Sequence, residues 1–282
     1  MPRSEGYGTL PSTEPRLSED QPSTASIHAR PVLSEPKTPG WTARLHDHLH
    51  VDVNNRWADI PLLLCYFITG LLDTASVTTW GSFASMQTGN TIYLGYGIVA
   101  PSESNRWIRA AVSLVSFSVG SFLFARFHRF FSPRRRWVLL LSYIIQTLLI
   151  GAAALMVTLG PRTTKDGPIT SWVLVPIALI ALQSSGQAFM SRVLKFGSLT
   201  SVVLTSIYCD LWADEKLFAG IIANTERNRR VAAPIMLLCG AVVAGVCERA
   251  EVGIAGALWM AAGLKAIIIV LWWFWREDEL SS

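Results

Sequence analysis

Eight apolar segments make up most of the chain after residue 59 and constrain its fold more than any other feature. They cover residues 60–80, 82–100, 107–127, 137–159, 171–190, 198–213, 231–248 and 253–275. Most of them reach the roughly 20 residues with which an α-helix crosses about 30 Å of hydrocarbon. Hydrophobic residues make up 51% of the chain and charged residues only 16%, which excludes an average soluble domain. We therefore predict an all-α, multi-pass integral membrane bundle whose main partner is the lipid bilayer.

The segments that flank the apolar region have different compositions. Residues 1–40 are rich in Pro, Ser, Thr and Glu and nearly free of aromatic residues, so they bury too little apolar surface to offset the entropy of ordering. We predict a disordered tail there. Apolar residues recur at every fourth position over 41–58, which indicates an amphipathic helix at the membrane interface. The transmembrane domain is predicted over 59–275, and residues 276–282 form a C-terminal tail.

The formal net charge of +4 is explained by membrane topology, because Lys and Arg fall in the short segments between apolar runs. No nucleic-acid partner is expected. If 82–100 and 198–213 enter the membrane and return, both termini, the loop around Arg134 and the loop 214–230 share the cytoplasmic face. If all eight segments cross, the loop 214–230 lies outside with both termini. We favour six full spans and two re-entrant segments, because that arrangement collects the basic residues inside.

A faint internal duplication is visible in the order of the segments. Aligning Thr88 with Thr205 lays the four N-terminal segments over the four C-terminal ones and brings Gln146 close to Lys265. Three crossings in each half would make the two halves inverted relative to each other, as in many transporters with broken helices. Four crossings in each half would make them parallel.

An acidic residue interrupts the first apolar segment. Asp73 lies within it, and a carboxylate at the centre of a spanning helix costs roughly 2.5 to 3.5 kcal/mol. Such a residue is retained most simply when it faces a partner or a wet cavity, so it marks a functional site by hypothesis. Lys265 in the last segment is a candidate partner, because a pair would neutralise both charges. An ion- or proton-coupling role and a purely structural role are both compatible with the pattern.

The second apolar segment contains a run of polar and small residues, Gln87, Thr88, Gly89 and Asn90. Such a run can open a helix and turn its oxygen atoms toward an ion or a polar solute. The alternative is that the small residues only let two helices approach closely. The predicted substrate-binding residues are Asp73, Gln87, Thr88, Gly89, Asn90, Thr205 and Lys265.

Signatures of enzymes and metal sites are missing from the sequence. It contains no GxSxG, HExxH, P-loop or CxxC motif, so we predict no catalytic residue and no cofactor. His46 and His50 have the spacing of a metal-binding pair on a helix, but no third ligand accompanies them. We therefore predict no metal site.

Two blocks of residues carry a resemblance to a known family. The first comprises Gly70, Leu72, Asp73 and the runs 80–83 and 86–91, and the second is the run 204–211. These blocks resemble those of the YoaK-like family of uncharacterised membrane proteins, in its fungal form, over about residues 56–275. What the resemblance implies is a multi-spanning membrane domain of unknown function.

The sequence thus favours a small transporter or channel-like protein for a small polar or ionic solute. The alternative is an accessory membrane protein, or a membrane-bound enzyme of a biosynthetic pathway, in which the same polar residues only hold helices together. Both interpretations are compatible with the plasma membrane and with an internal membrane, and with any oligomeric state.

Overall fold

The computed structural model describes residues 40–197 and 199–278. The predicted tail over 1–40 lies outside these residues except for Gly40, as do the last four residues of the C-terminal tail. The regular structure of the described part is helical, apart from two isolated β-bridges. Its α-helices are α1 Trp41–His50, α2 Asp59–Trp80, α3 Gln87–Val99, α4 Arg106–Phe130, α5 Arg136–Leu159, α6 Ser171–Val193, α7 Thr205–Trp212, α8 Thr225–Arg249 and α9 Gly253–Trp273.

Six of these helices are long and apolar enough to span a membrane, which confirms the prediction of a multi-pass helical membrane protein. They are α2, α4, α5, α6, α8 and α9. Helices α3 and α7 have only 13 and 8 residues. At about 1.5 Å of rise per residue they are about 20 Å and 12 Å long, too short to cross the hydrocarbon. Each follows a non-helical stretch, residues 81–86 before α3 and residues 194–197 and 199–204 before α7.

Side-chain bonds identify the helix termini that share one end of the bundle, which we call the basic end. Arg229 Nε donates to Asp59 Oδ2 at 2.9 Å, so α8 and α2 begin side by side. Arg136 Nη2 donates to the carbonyl oxygen of Trp275 at 2.6 Å, which joins the start of α5 to the chain after α9. The end of α6 is also here, because Asn55 Nδ2 donates to the carbonyl oxygen of Leu194 at 3.2 Å.

At the end of the bundle opposite the basic end, Arg109 at the start of α4 joins the end of α2 to the α5–α6 loop. Its guanidinium donates to the carbonyl oxygen of Trp80 at 3.2 Å and to that of Gly167 at 2.7 Å. Arg106 Nε donates to the carbonyl oxygen of Gly81, so the segment between α2 and α4 leaves and re-enters the same end. Likewise, Arg230 pairs with Asp214 at 3.0 Å, which returns the segment containing α7 to the basic end.

Glycines let two pairs of spanning helices cross closely. A Cβ atom at Gly70 of α2 would lie 1.9 Å from the carbonyl oxygen of Leu237 in α8, and one at Gly240 would lie 2.0 Å from that of Phe67. The backbones of α2 and α8 therefore touch, which is how small residues drive helix packing in membranes.

The second glycine crossing joins α4 and α6. A Cβ atom at Gly120 would lie 2.8 Å from the carbonyl oxygen of Leu182, and one at Gly186 would lie 2.6 Å from the ring of Phe124. Each crossing thus uses one glycine from each of its two helices.

The helix predicted over 41–58 ends at His50, and the following residues are extended. Val53 N–H donates to the carbonyl oxygen of Arg134 at 3.0 Å, and Asn54 N–H donates to that of Arg276 at 3.1 Å. Residues 51–54 therefore pair with both the α4–α5 loop and the segment after α9. These long-range bonds offer the backbone an alternative to continuing the helix, which local periodicity does not reveal.

Candidate functional site

The break between α2 and α3 is closed by Asp73. Gly81 ends α2 with a left-handed φ of 78°, a conformation that glycine adopts without strain. The chain then folds back along α2, so that Asp73 Oδ1 accepts from the N–H groups of Ala84 at 2.8 Å and Ser85 at 2.7 Å. Ser85 Oγ donates to the other carboxylate oxygen at 2.6 Å. The carboxylate of Asp73, inside the spanning helix α2, thereby pairs two backbone N–H groups that would have no partner in hydrocarbon.

Asn90 holds the same break from the side of α3. Its Oδ1 accepts from the N–H of Phe83 at 3.0 Å, and its Nδ2 donates to the carbonyl oxygen of Phe83 at 2.8 Å. Nδ2 also lies 3.0 Å from Gln87 Oε1 and 3.0 Å from Ser113 Oγ on α4. Asn90 is fully buried and its amide is occupied, so its observed role is to fix the loop.

Gly89 permits a close approach within this break. A Cβ atom there would lie 2.7 Å from the ring of Phe83. Thr88, in contrast, is exposed and lines a cavity between the two breaks. The predicted run therefore divides: Gly89 and Asn90 pack, while Gln87 and Thr88 reach the cavity.

A cavity of about 550 Å³ lies between the two broken segments. It is bounded by α2, α4, α6, α8 and the chain around both breaks. Its polar and charged lining residues are Thr69, Asp73, Thr74, Ser85, Gln87, Thr88, Ser121, Ser185, Arg192, Thr200 and Thr205. The volume falls in the usual range of small-molecule sites, and apolar walls with a few polar groups are typical of such sites.

The second break is tied to α2 by Gln187 of α6. Its Nε2 donates to Thr69 Oγ1 at 2.7 Å and to the carbonyl oxygen of Cys65 at 2.9 Å. The same nitrogen lies 3.1 Å from Ser201 Oγ, in the stretch before α7. This anchoring brings the beginning of α7, with Thr205, to the cavity wall.

Lys265 lies elsewhere, and the candidate pair with Asp73 does not form. Its Nζ donates to Gln146 Oε1 of α5 at 2.6 Å and lies 5.2 Å from the centre of the Tyr143 ring. Lys265 is not among the residues that line the cavity. The two residues do not meet because of how each helix is rotated about its axis. Helix α9 turns the Lys265 side chain toward α5, whereas Asp73 faces the break between α2 and α3.

The cavity also contains residues that the sequence reasoning missed. Phe117 and Ser121 project into it from α4, and Ser185, Phe189 and Arg192 from α6. Their spacing of three or four residues places each set on one helix face, which is a signal in the sequence. Nothing in a single sequence shows that those two faces meet. Asp73 and Arg192 supply the carboxylate and the guanidinium of the lining.

The histidines of α1 are held by protein groups. The His46 and His50 rings stack with their centres 4.0 Å apart, and His50 Nδ1 lies 2.8 Å from the carbonyl oxygen of His46. Within residues 40–197 and 199–278, no three His, Cys, Asp or Glu side chains are grouped as metal ligands.

Six spanning helices, two short helices at breaks and a cavity with apolar walls and a few polar groups define the chain as a multi-pass helical membrane protein. Residues 61–271 match the family described as protein of unknown function DUF1275, and the chain belongs to that family. Comparison with curated proteins and with solved structures gave no match.

Proposed function

We propose that this chain carries a small polar or ionic solute across the membrane by alternating access. The observation that carries the proposal is the position of the cavity. It lies where two helices break, and the half-helices α3 and α7 both begin at its wall with Gln87 and Thr205. In secondary transporters, substrate sites formed by discontinuous helices near the bilayer midplane are a recurring design.

The packing of the helices supports an inverted duplication. Exchanging α2 with α6, α3 with α7, α4 with α8 and α5 with α9 turns the α2–α8 contact into the α6–α4 contact and leaves the α5–α9 contact unchanged. The glycine crossings obey the same exchange, since Gly70 and Gly240 correspond to Gly186 and Gly120. Each half contributes three spans, so the halves run in opposite senses, which is the geometry that lets two equivalent states open to opposite sides.

The free polar groups of the cavity would contact the solute. Thr88 and Thr205 are exposed there, and Arg192 is a guanidinium at the end of α6 near the basic end. Asp73 accepts three hydrogen bonds from the break, so it would act on the solute mainly through its charge. Gly89, Asn90 and Lys265 would support the fold around the solute without touching it.

We further propose that the basic end faces the cytoplasm. The Arg-rich run 134–136, the loop 214–230 and the chain after α9 all meet there, as the positive-inside rule requires. Within the family, the run 204–211 supports placing the chain with fungal members of the YoaK-like group.

The test is uptake by proteoliposomes that contain the purified full-length chain. A panel of radiolabelled amino acids, organic acids, sugars and monovalent ions is offered, and Ser121→Trp fills the cavity from α4. Ser118→Trp is the matched control, because Ser118 lies on the same helix with an exposed side chain. At least one solute should accumulate with the wild type and the control and not with Ser121→Trp. Uptake that survives Ser121→Trp, or no uptake of any panel member, would refute the proposal.

The alternative is an accessory membrane protein or a membrane-bound enzyme. One observation favours it: Asp73, Gln87 and Asn90 all form hydrogen bonds that hold the break together. Product turnover in detergent, where no gradient exists, would support this alternative against transport.

A further inference from the structure

Helix α9 contains a lysine that the proposed cavity does not use. Lys265 has no exposed surface. At about 1.5 Å of rise per residue, the stretch from Lys265 to Trp273 is about 12 Å long, so the lysine lies well inside the spanning part of α9. Ionisable residues at such depth are costly, and they mark ion or proton pathways in many membrane proteins.

Within residues 40–197 and 199–278, the surroundings of Lys265 offer one strong hydrogen-bond acceptor and no counter-ion. Its Nζ donates to Gln146 Oε1 at 2.6 Å and lies 5.2 Å from the centre of the Tyr143 ring. Cys65 of α2 is the other titratable group that faces it, with its sulfur 3.9 Å from the Tyr143 hydroxyl. Among the described residues no carboxylate lies within 4 Å of the amine.

Gln146 is oriented to receive a proton donor. Its Nε2 donates to Ser142 Oγ at 3.3 Å, and Ser142 Oγ also lies 3.3 Å from His128 Nε2. Ser142 Oγ also donates to Met190 Sδ at 3.5 Å, which leaves its oxygen to accept from the amide nitrogen, and the carbonyl oxygen of Gln146 points at Lys265. A carbonyl oxygen accepts from an amine as well as from an ammonium group, and the charged donor forms the stronger hydrogen bond. The contact therefore persists whether or not Lys265 carries a charge.

The charge state of Lys265 is linked to the conformation of the α5–α9 contact. An ammonium ion buried among apolar helices without an anion loses its hydration. Only the amide dipole of Gln146 and the ring face of Tyr143 compensate for that loss. A neutral amine at the same place incurs no such cost. Any movement that wets this contact would therefore favour proton uptake, and resealing would favour release.

We propose that Lys265 is the proton-binding residue that couples transport by this chain to a proton gradient. The step is the uptake of one proton from hydronium by the free amine, which gives ammonium and water, and its reversal on the other side. The α5–α9 contact joins the third spans of the two proposed halves, so it changes when one half moves against the other. This inference rests on the proposed transport function and names its coupling ion.

The test measures proton binding without any solute. Proteoliposomes are adsorbed on a solid-supported membrane and stepped from mildly alkaline to mildly acidic buffer, and the transient charge displacement is recorded. Lys265→Gln keeps a hydrogen-bond donor for Gln146 but has no titratable amine. Lys216→Gln is the matched control, since Lys216 is exposed in the loop before α8. Cys65→Ser and Tyr143→Phe test the titratable groups that face the amine.

Wild type, Lys216→Gln, Cys65→Ser and Tyr143→Phe should displace charge, and Lys265→Gln should fall to the level of empty liposomes. Its elution profile and thermal midpoint in detergent should stay close to those of wild type. Lys265→Met, which lacks the donor, serves as a second variant if Lys265→Gln does not fold. Full charge displacement by a folded Lys265 variant, or none by the wild type, would overturn the inference. Solute uptake that is lost in Ser121→Trp but independent of the pH gradient would refute coupling while leaving transport intact.

Discussion

Replacing Asp73 by leucine should unfold the break between α2 and α3. The variant keeps the branched side-chain shape, with two bulkier methyl groups in place of the two oxygens, but removes the acceptor for the N–H groups of Ala84 and Ser85 and for the Ser85 hydroxyl. A buried donor left without a partner costs about 1 to 3 kcal/mol. The two backbone donors alone therefore predict a loss of about 2 to 6 kcal/mol in the free energy of unfolding.

Asp73→Asn should be much milder, because an amide oxygen can still accept from both N–H groups and the Ser85 hydroxyl can rotate to accept. The loss is then the difference between charge-assisted and neutral hydrogen bonds, offset by the easier burial of an amide, and should stay below about 2 kcal/mol. Under the transport proposal, solute uptake by Asp73→Asn should nevertheless fall, since the charge in the cavity is gone.

Both free energies can be measured by reversible denaturation in detergent micelles, followed by tryptophan fluorescence. Thr74→Val is the control, because Thr74 lines the same cavity without a described hydrogen bond from its side chain. If Asp73→Leu unfolds at the same denaturant concentration as Thr74→Val, the carboxylate does not hold the break. If Asp73→Asn is both stable and active, Asp73 has only a structural role.

Two further predictions concern packing and topology. Gly240→Leu should prevent α2 and α8 from crossing and reduce the yield of folded protein in detergent, whereas Gly245→Leu, which meets no atom within 4 Å, should be tolerated; equal yields would refute the crossing. In a background without native cysteines, reporters at positions 134 and 222 should react with an impermeant thiol reagent only after cell permeabilisation, and those at 103 and 163 in intact cells. Labelling of position 222 from outside would reverse this topology.

Hydropathy alone predicted the spanning helices closely. The expected segment 137–159 is α5 at 136–159, and the expected 171–190 is α6 at 171–193. This agreement arises because the width of the hydrocarbon fixes helix length, and apolar composition reports it directly. The two segments suspected of re-entry contain the short helices α3 and α7.

The rotation of helices about their axes was not predictable from the same pattern. A helix that is apolar on all sides gives no signal for the face that meets a neighbour. Lys265 was therefore a candidate partner of Asp73 in the sequence, whereas α9 turns it toward Gln146. The cavity residues of α4 and α6 were not predicted for the same reason. Ser121 and Ser185 are ordinary small residues until it is known that the two helix faces meet.

The pairing of residues 51–54 imposes an order on biogenesis. This stretch emerges from the ribosome before the first span, yet Asp52 accepts from the N–H of Asp278 at 2.9 Å and Asn54 donates to Arg276. Those partners are synthesised after all six spans. Val53 can pair with Arg134 once the α4–α5 loop has been made, but the bonds of Asp52 and Asn54 to the segment after α9 must wait until α9 has been inserted. A ribosome that stalls before residue 276 would leave these two bonds unmade, so their presence marks a chain in which all six spans have been synthesised.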